Sequence, residues 1–88
     1  MNYFITLGKN AKQNEAGQII QVPQVLKAFT SKWEREVGET INYEGERWLV
    51  MATEFDTKQE AQNWVTETAN LYVQKNYWNA STKIKANF

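Results

Sequence analysis

Two pairs of carboxylate residues are the best candidates for chemistry in this sequence. Glu44 and Glu46 flank Gly45, and Glu54 and Asp56 lie two positions apart. Such a pair can act as a general acid and a general base, or can bind a hard cation through its oxygen atoms. Charged residues at a turn normally serve solubility, however, and Asp56 stands where a helix needs a cap. We therefore expect neither pair to be catalytic.

A third group of acidic residues surrounds the predicted end of a helix. Glu34, Glu36 and Glu39 lie close together in the sequence, but Lys32 and Arg35 are interleaved with them. Alternating charges of this kind are typical of a solvated face, so we do not expect a metal site there.

The composition excludes most familiar enzyme chemistry. The chain has no histidine and no cysteine, but four tryptophans, four tyrosines and four phenylalanines. It therefore lacks the side chain that titrates near neutral pH, a thiolate nucleophile and the usual ligands of transition metals. It also contains no glycine-rich phosphate loop, serine nucleophile motif or dinucleotide fingerprint. We expect a non-enzymatic protein with no catalytic residue, no metal and no cofactor.

Length and charge narrow the class further. The 88 residues suffice for one α+β domain covering positions 1–88, and ten basic residues balance ten acidic ones. No apolar run approaches the roughly 20 residues that span a bilayer, and the first residues lack the basic region of a secretory signal. We expect a small soluble domain without membrane contact. The missing cysteines fit a cytoplasmic location.

The first half of the chain predicts one or two strands and a helix. Residues 3–7 favour a strand, residues 9–17 form a loop, and residues 18–22 can return as a second strand. Pro23 suits the first position of a helix that ends at Gly38. The residues expected on its buried face recur every three or four positions: Val22, Leu26, Phe29, Trp33 and Val37.

A hairpin signal follows. Residues 41–43 and 47–55 are two strands around Glu44-Gly45-Glu46, where Gly45 supplies the positive φ of a tight turn. Both faces of the longer strand are apolar, which predicts a central position in the sheet. If helices cover the face with Leu49, Met51 and Phe55, the opposite face is open. That open face would carry Trp48, Val50 and Ala52.

The strongest local signature begins a second helix. Thr57 and Glu60 form a capping box, with Asp56 as an alternative cap, and the helix extends to about Lys75. Trp64 lies on its apolar face, and we expect it in the core together with Phe29 and Trp33. Residues 76–79 then indicate a turn, and residues 82–88 alternate as a half-exposed strand.

The order of these elements resembles the ferredoxin-like βαββαβ arrangement. It implies an antiparallel sheet of four or five strands with two helices on one face, and an extra strand or loop after the first strand. The alternative is another α+β sheet, in which residues 3–7 and 18–22 pair as a hairpin.

The same pattern is shared by the RNA recognition motif, and two segments resemble its conserved strands. Residues 3–7 resemble the first-strand element, and residues 47–55 stand in the place of the third-strand element. The second stacking aromatic, the glycine and most basic residues of that element are missing. The resemblance implies single-stranded nucleic-acid binding as an alternative function. The residues that would serve it are Tyr3, Trp48, Lys75, Lys83 and Lys85.

The aromatic residues favour a protein partner instead. A chain of this length cannot bury four tryptophans completely, and interfaces are enriched in Trp, Tyr and Arg. Trp48 with Tyr43 and Arg47 on the hairpin, or Tyr77 with Trp78 near the end, would form the anchor of such an interface. The same surface could join two copies in a homodimer.

In size and composition the chain is similar to small phage or mobile-element proteins that inhibit host defence complexes, anti-CRISPR proteins among them. Inhibitors that mimic DNA are usually strongly acidic, whereas this chain is neutral. The similarity implies an inhibitor that acts by covering a protein surface.

Overall fold

The computed structural model describes the backbone of residues 1–75 and 85–87 and the side chains of residues 1–70. The described part is an α+β fold with one helix. Its elements are β1 (Tyr3–Lys9), β2 (Lys12–Gln13), β3 (Ile19–Gln21), β4 (Val25–Ser31), β5 (Thr40–Tyr43), β6 (Glu46–Phe55), α1 (Lys58–Lys75) and β7 (Lys85–Asn87).

Five of the strands form one sheet in the order β5-β6-β1-β4-β7. The first four are antiparallel to their neighbours, and β7 pairs in parallel with the beginning of β4. β2 and β3 form a separate two-stranded hairpin. Within the described part of the chain, no helix combines the length and the apolar character needed to cross a membrane.

The helix predicted from Pro23 to Gly38 is wrong. Residues 25–31 form β4, which pairs with β1 from Tyr3 opposite Ser31 to Gly8 opposite Leu26. Apolar residues on both faces of a strand can also recur every three or four positions, so their spacing alone does not distinguish it from a helix. The described fold consequently has neither the second helix nor the ferredoxin-like order.

The alternative hairpin of residues 3–7 and 18–22 is also not formed. β3 pairs with β2, whereas β1 lies between β4 and β6 in the middle of the sheet. The residues after β1 therefore hold a small hairpin of their own.

α1 covers one face of the sheet. Leu26 of β4 packs with Val65 and Ala69, and Met51 and Trp64 lie against this cluster. Gly8 allows β1 to pack closely here, because a Cβ atom at this position would stand 3.0 Å from the Cβ of Pro23. The expectation that a helix covers the face with Met51 is confirmed.

The opposite face of the sheet curls over itself. Ile5, Leu7 and Val50 are fully buried there, although α1 lies on the other side. The rings of Phe29 and Tyr43 are 5.0 Å apart, whereas three strand spacings in a flat sheet separate β4 from β5 by about 14 Å. The sheet must therefore be strongly curved, with these aromatic rings closing its concave side.

Irregular pairing between β1 and β6 accompanies this curvature. The register shifts on both sides of Thr6, and Glu54 has a φ of +67°. Extra residues of this kind bend a strand and increase its twist.

The predicted start of α1 at Thr57 and the predicted turn of the β5–β6 hairpin are both confirmed. The Thr57 Oγ1 accepts the Glu60 N–H at 3.1 Å, as in the predicted capping box, whereas the return bond goes one residue earlier, with the Glu60 Oε2 accepting the Asp56 N–H at 3.1 Å. α1 begins directly afterwards at Lys58. In the β5–β6 hairpin, Glu44 and Gly45 have φ values of 51° and 76°, as a type I′ turn requires.

Candidate binding surface

The predicted anchor of the interface, Trp48, lies in the core. Only 6% of it is exposed, and its Nε1 donates to the Tyr43 carbonyl oxygen at 3.3 Å. Tyr43 is half-buried, with its ring in edge contact with Trp48 and Phe29. The prediction that Trp48 and Val50 face an open side is wrong, because the curl of the sheet closes that side.

Arg47, the third residue of the predicted hairpin cluster, is held by an internal contact. Its Nη1 donates to the Ala11 carbonyl oxygen at 2.7 Å. This bond joins β6 to the connection between β1 and β2. The hairpin therefore does not bring Tyr43, Arg47 and Trp48 together as an exposed patch.

The remaining predicted binding residues are spread over the molecule or lie outside the description. Tyr77, Trp78 and Lys83 are outside the described residues, and Lys75 and Lys85 are described by their backbone alone. Tyr3 begins β1, whereas Trp48 pairs with Lys9 at its other end. Six residues of strand separate those two ends by about 20 Å, so Tyr3 and Trp48 do not form one stacking platform.

The two carboxylate pairs lie at opposite ends of β6. Glu46 forms an ion pair with Lys9, with 3.5 Å between the Lys9 Nζ and the Glu46 Oε1. Glu44 lies in the exposed turn beside it, and Glu54 in the irregular part of β6. Within residues 1–75 and 85–87, no three acidic side chains group as metal ligands would.

The surface that sequence reasoning missed is the β4–β5 loop, residues 32–39. It carries two large exposed apolar side chains, Trp33 at 69% and Val37 at 55% exposure. The prediction that Trp33 packs in the core as part of a helix is wrong, whereas Phe29 and Trp64 do pack against the core. One signal pointed to the loop, since Lys32 and Glu34 flank Trp33 with charge on both sides.

The backbone on either side of Trp33 is fixed by Ser31. The hydroxyl of this buried serine accepts the Trp33 N–H at 3.1 Å and donates to the Trp33 carbonyl oxygen at 2.6 Å. The indole thus projects from a turn that is attached to the end of β4, although most of its surface is exposed.

An ion pair holds the middle of the loop. The Arg35 Nη1 lies 2.7 Å from the Glu39 Oε1, and the Glu39 Oε2 accepts the Glu36 N–H at 3.1 Å. The hydrogen bond from Arg35, together with that from Glu36, holds the pKa of Glu39 below its usual value of 4.5.

The end of the loop is attached to β6. The Glu39 N–H donates to the Glu36 carbonyl oxygen at 3.1 Å, and Gly38 between them has a φ of +93°. The Gly38 N–H donates to the Val50 carbonyl oxygen at 2.9 Å, and the Val50 N–H donates to the Glu39 carbonyl oxygen at 2.8 Å. This is a bulge with glycine at its first position, which directs the chain into β5.

Two grooves flank the loop and differ in charge. The β4–β5 groove, of about 320 Å³, lies between the end of β4 and β5, with Trp33, Lys32 and Arg35 in its lining and no carboxylate. A second groove of about 390 Å³, which Arg35 also lines, contains three carboxylates. These are Glu34, Glu36 and Glu54.

Two of the three aromatic rings that line the β4–β5 groove already pack against other side chains. Phe29 and Tyr43 contact each other edge to face, and the Lys27 Nζ lies 4.7 Å from the centre of the Tyr43 ring. Trp33 is the aromatic side chain in this lining that is mostly exposed.

No family model, curated protein or solved structure matches the chain.

Proposed function

We propose that this chain is a non-enzymatic binding protein that recognises another protein through the β4–β5 loop, with Trp33 as the anchor. The observation that carries the proposal is a tryptophan 69% exposed on a turn whose backbone is fixed by hydrogen bonds. Tryptophan is among the residues most enriched at interface hot spots. A fixed turn also reduces the entropy that binding would otherwise have to overcome.

Val37 adds a second exposed apolar side chain to the same loop. It is 55% exposed, and it lines the groove with the three carboxylates, whereas Trp33 lines the β4–β5 groove. Apolar anchors with polar neighbours are the usual composition of a protein interface.

An inhibitor that covers a surface of a host defence complex would act in this way. Support for that narrower proposal is confined to the size and composition of the chain. Single-stranded nucleic-acid binding is the weaker alternative, because stacking proteins offer successive aromatic platforms and the β4–β5 groove offers one exposed ring.

The test is a quantitative affinity capture from the source organism with three baits: the wild type, Trp33→Ala and Ile20→Ala. Ile20 is a matched control because it is 64% exposed but lies on β3, in the separate hairpin. We expect a partner that binds the wild type and Ile20→Ala. Trp33→Ala should weaken its binding by about 30-fold, equivalent to about 2 kcal/mol.

A partner that binds all three baits equally would refute the proposed anchor. Capture of nucleic acid without protein, lost as salt is raised, would support the alternative. Sedimentation of the isolated chain separates a hetero-partner from self-association, since a homodimer formed through Trp33 would dissociate in the Trp33→Ala variant.

A further inference from the structure

β5 is an open edge of the sheet beside the β4–β5 groove. Within the described residues it pairs with β6 and with no other strand. The bond between the Val50 N–H and the Glu39 carbonyl oxygen sets the alternation of the ladder. Ile41 and Tyr43 therefore point their backbone groups towards β6. The N–H and C=O groups of Thr40 and Asn42 point outwards.

Both outward residues of this edge are exposed. An edge with free donors and acceptors is a template for an additional strand, and extended peptides bind to many proteins in this way. β5 is short and follows the bulge at Gly38, but it lacks two other protections of a free edge, since Thr40–Tyr43 contains no proline and no charged residue.

The charge of the groove indicates what kind of side chain it would take. Lys32 and Arg35 line it, and no carboxylate does. The guanidinium of Arg35 is already paired with Glu39, whereas Lys32 forms no ion pair with any residue in the described part of the chain. An incoming carboxylate would therefore meet the ammonium group of Lys32.

We propose that an extended peptide segment of the partner adds to the outer edge of β5 as a further strand and directs a carboxylate side chain into the β4–β5 groove beside Lys32. An apolar side chain of the same segment packs on Trp33. The inference rests on the proposed function and specifies its partner as an acidic extended peptide.

A second copy of this chain fits less well. Thr40–Tyr43 contains no carboxylate, so pairing of β5 with its own copy would leave Lys32 without a counter-charge from that strand. A nucleic acid would not use the backbone groups of Thr40 and Asn42 as a strand does.

The experiment uses a displayed library of random decapeptides selected on the full chain. We expect the enriched peptides to share an aspartate or glutamate within an alternating apolar pattern. The same selection on Lys32→Glu should replace that acidic residue with lysine or arginine, because the substitution puts a carboxylate in the β4–β5 groove in place of the ammonium group.

The best peptide is then measured by fluorescence anisotropy. Asn42→Pro should weaken it at least about tenfold, because proline removes an outward donor and blocks the edge. Lys32→Gln should weaken it up to about fivefold, as for an exposed ion pair. Ile20→Ala should leave it unchanged. Proline fits an edge strand at a position whose N–H is not used, and circular dichroism of the variant checks its fold.

Hydrogen exchange of the wild type provides a test without any substitution. Peptide binding should slow exchange at the amides of Thr40 and Asn42, which are free in the ladder, more than at Ile41, which is already bonded.

Two outcomes would overturn the inference. If the peptides need Trp33 but tolerate Asn42→Pro and leave the Thr40 and Asn42 amides unchanged, the proposed function stands and the added strand is refuted. If the library yields no peptide while labelled oligothymidylate binds, the acidic peptide is refuted together with the choice of a protein partner.

Discussion

Replacing Trp48 with alanine is expected to lower the free energy of unfolding by about 3 to 5 kcal/mol, the usual range for a large aromatic side chain in a core. Trp48 is 6% exposed and packs in one cluster with Ile5, Leu7 and Val50. The variant also loses the bond from the indole to the Tyr43 carbonyl oxygen. The cost of losing this bond, about 1 kcal/mol, is already included in the expected decrease in unfolding free energy.

The matched variant is Trp33→Ala, which removes the same side chain from the surface. Its expected cost is about 0.5 kcal/mol or less, because 69% of Trp33 is exposed and the bonds of its turn involve backbone atoms and Ser31. Denaturant and thermal unfolding, both followed by circular dichroism, measure the two variants. For a domain of this size, the Trp48→Ala melting temperature should fall by about 12 °C or more.

A helix over residues 23–38 and an open β6 face would give the opposite order, with Trp33→Ala as the more destabilising variant. If Trp33→Ala destabilises the chain as strongly as Trp48→Ala, the curled sheet is wrong. Trp48→Phe is the informative intermediate, because it keeps most of the packing and removes the indole donor. The loss in unfolding free energy of Trp48→Phe should be less than half of that of Trp48→Ala.

Further predictions concern the turns and caps. Replacing Thr57 and Glu60 together by alanine should cost about 1 to 2 kcal/mol in thermal unfolding, through the lost cap of α1; an unchanged midpoint would contradict the cap. Gly38→Ala should cost about 1 to 2 kcal/mol in denaturant, because a side chain is strained at a φ of +93° and its Cβ would stand 2.9 Å from the Gln13 Oε1. The lowered pKa of Glu39 means that its carboxylate stabilises the fold above its unfolded pKa, and that this contribution is lost as the pH falls through the folded pKa. Glu39→Gln should therefore be less stable than the wild type near neutral pH and equal to it in strong acid; a constant difference across the titration would assign the effect to packing.

The features that sequence reasoning predicted correctly are local ones. The capping box at Thr57 and Glu60, the turn at Gly45 and the helix that follows residue 57 all depend on residues within four positions of each other. Their hydrogen bonds and backbone angles are set by neighbouring residue types, whatever the rest of the chain does. The coarse α+β class followed from the same signals.

The features that sequence reasoning predicted wrongly depend on residues that are far apart in the sequence. The segment from residue 25 to residue 31 is a strand because β1 pairs along its length, and the spacing of Leu26 and Phe29 was compatible with a helix as well. Propensity is a weak preference that a long ladder of hydrogen bonds and burial on two faces overrides.

Trp33 is exposed and Trp48 is buried, which is the reverse of the prediction made from the sequence. The sequence determined that a short chain with four tryptophans would leave some aromatic surface exposed. Trp48 is buried because the curl of the sheet brings Phe29 to within 5.0 Å of Tyr43 and encloses the indole behind them, whereas Trp33 is exposed because it lies in the β4–β5 loop. Curvature is a property of all the strands together, because it arises from their twist and from the irregular pairing of β1 with β6. No single segment encodes it.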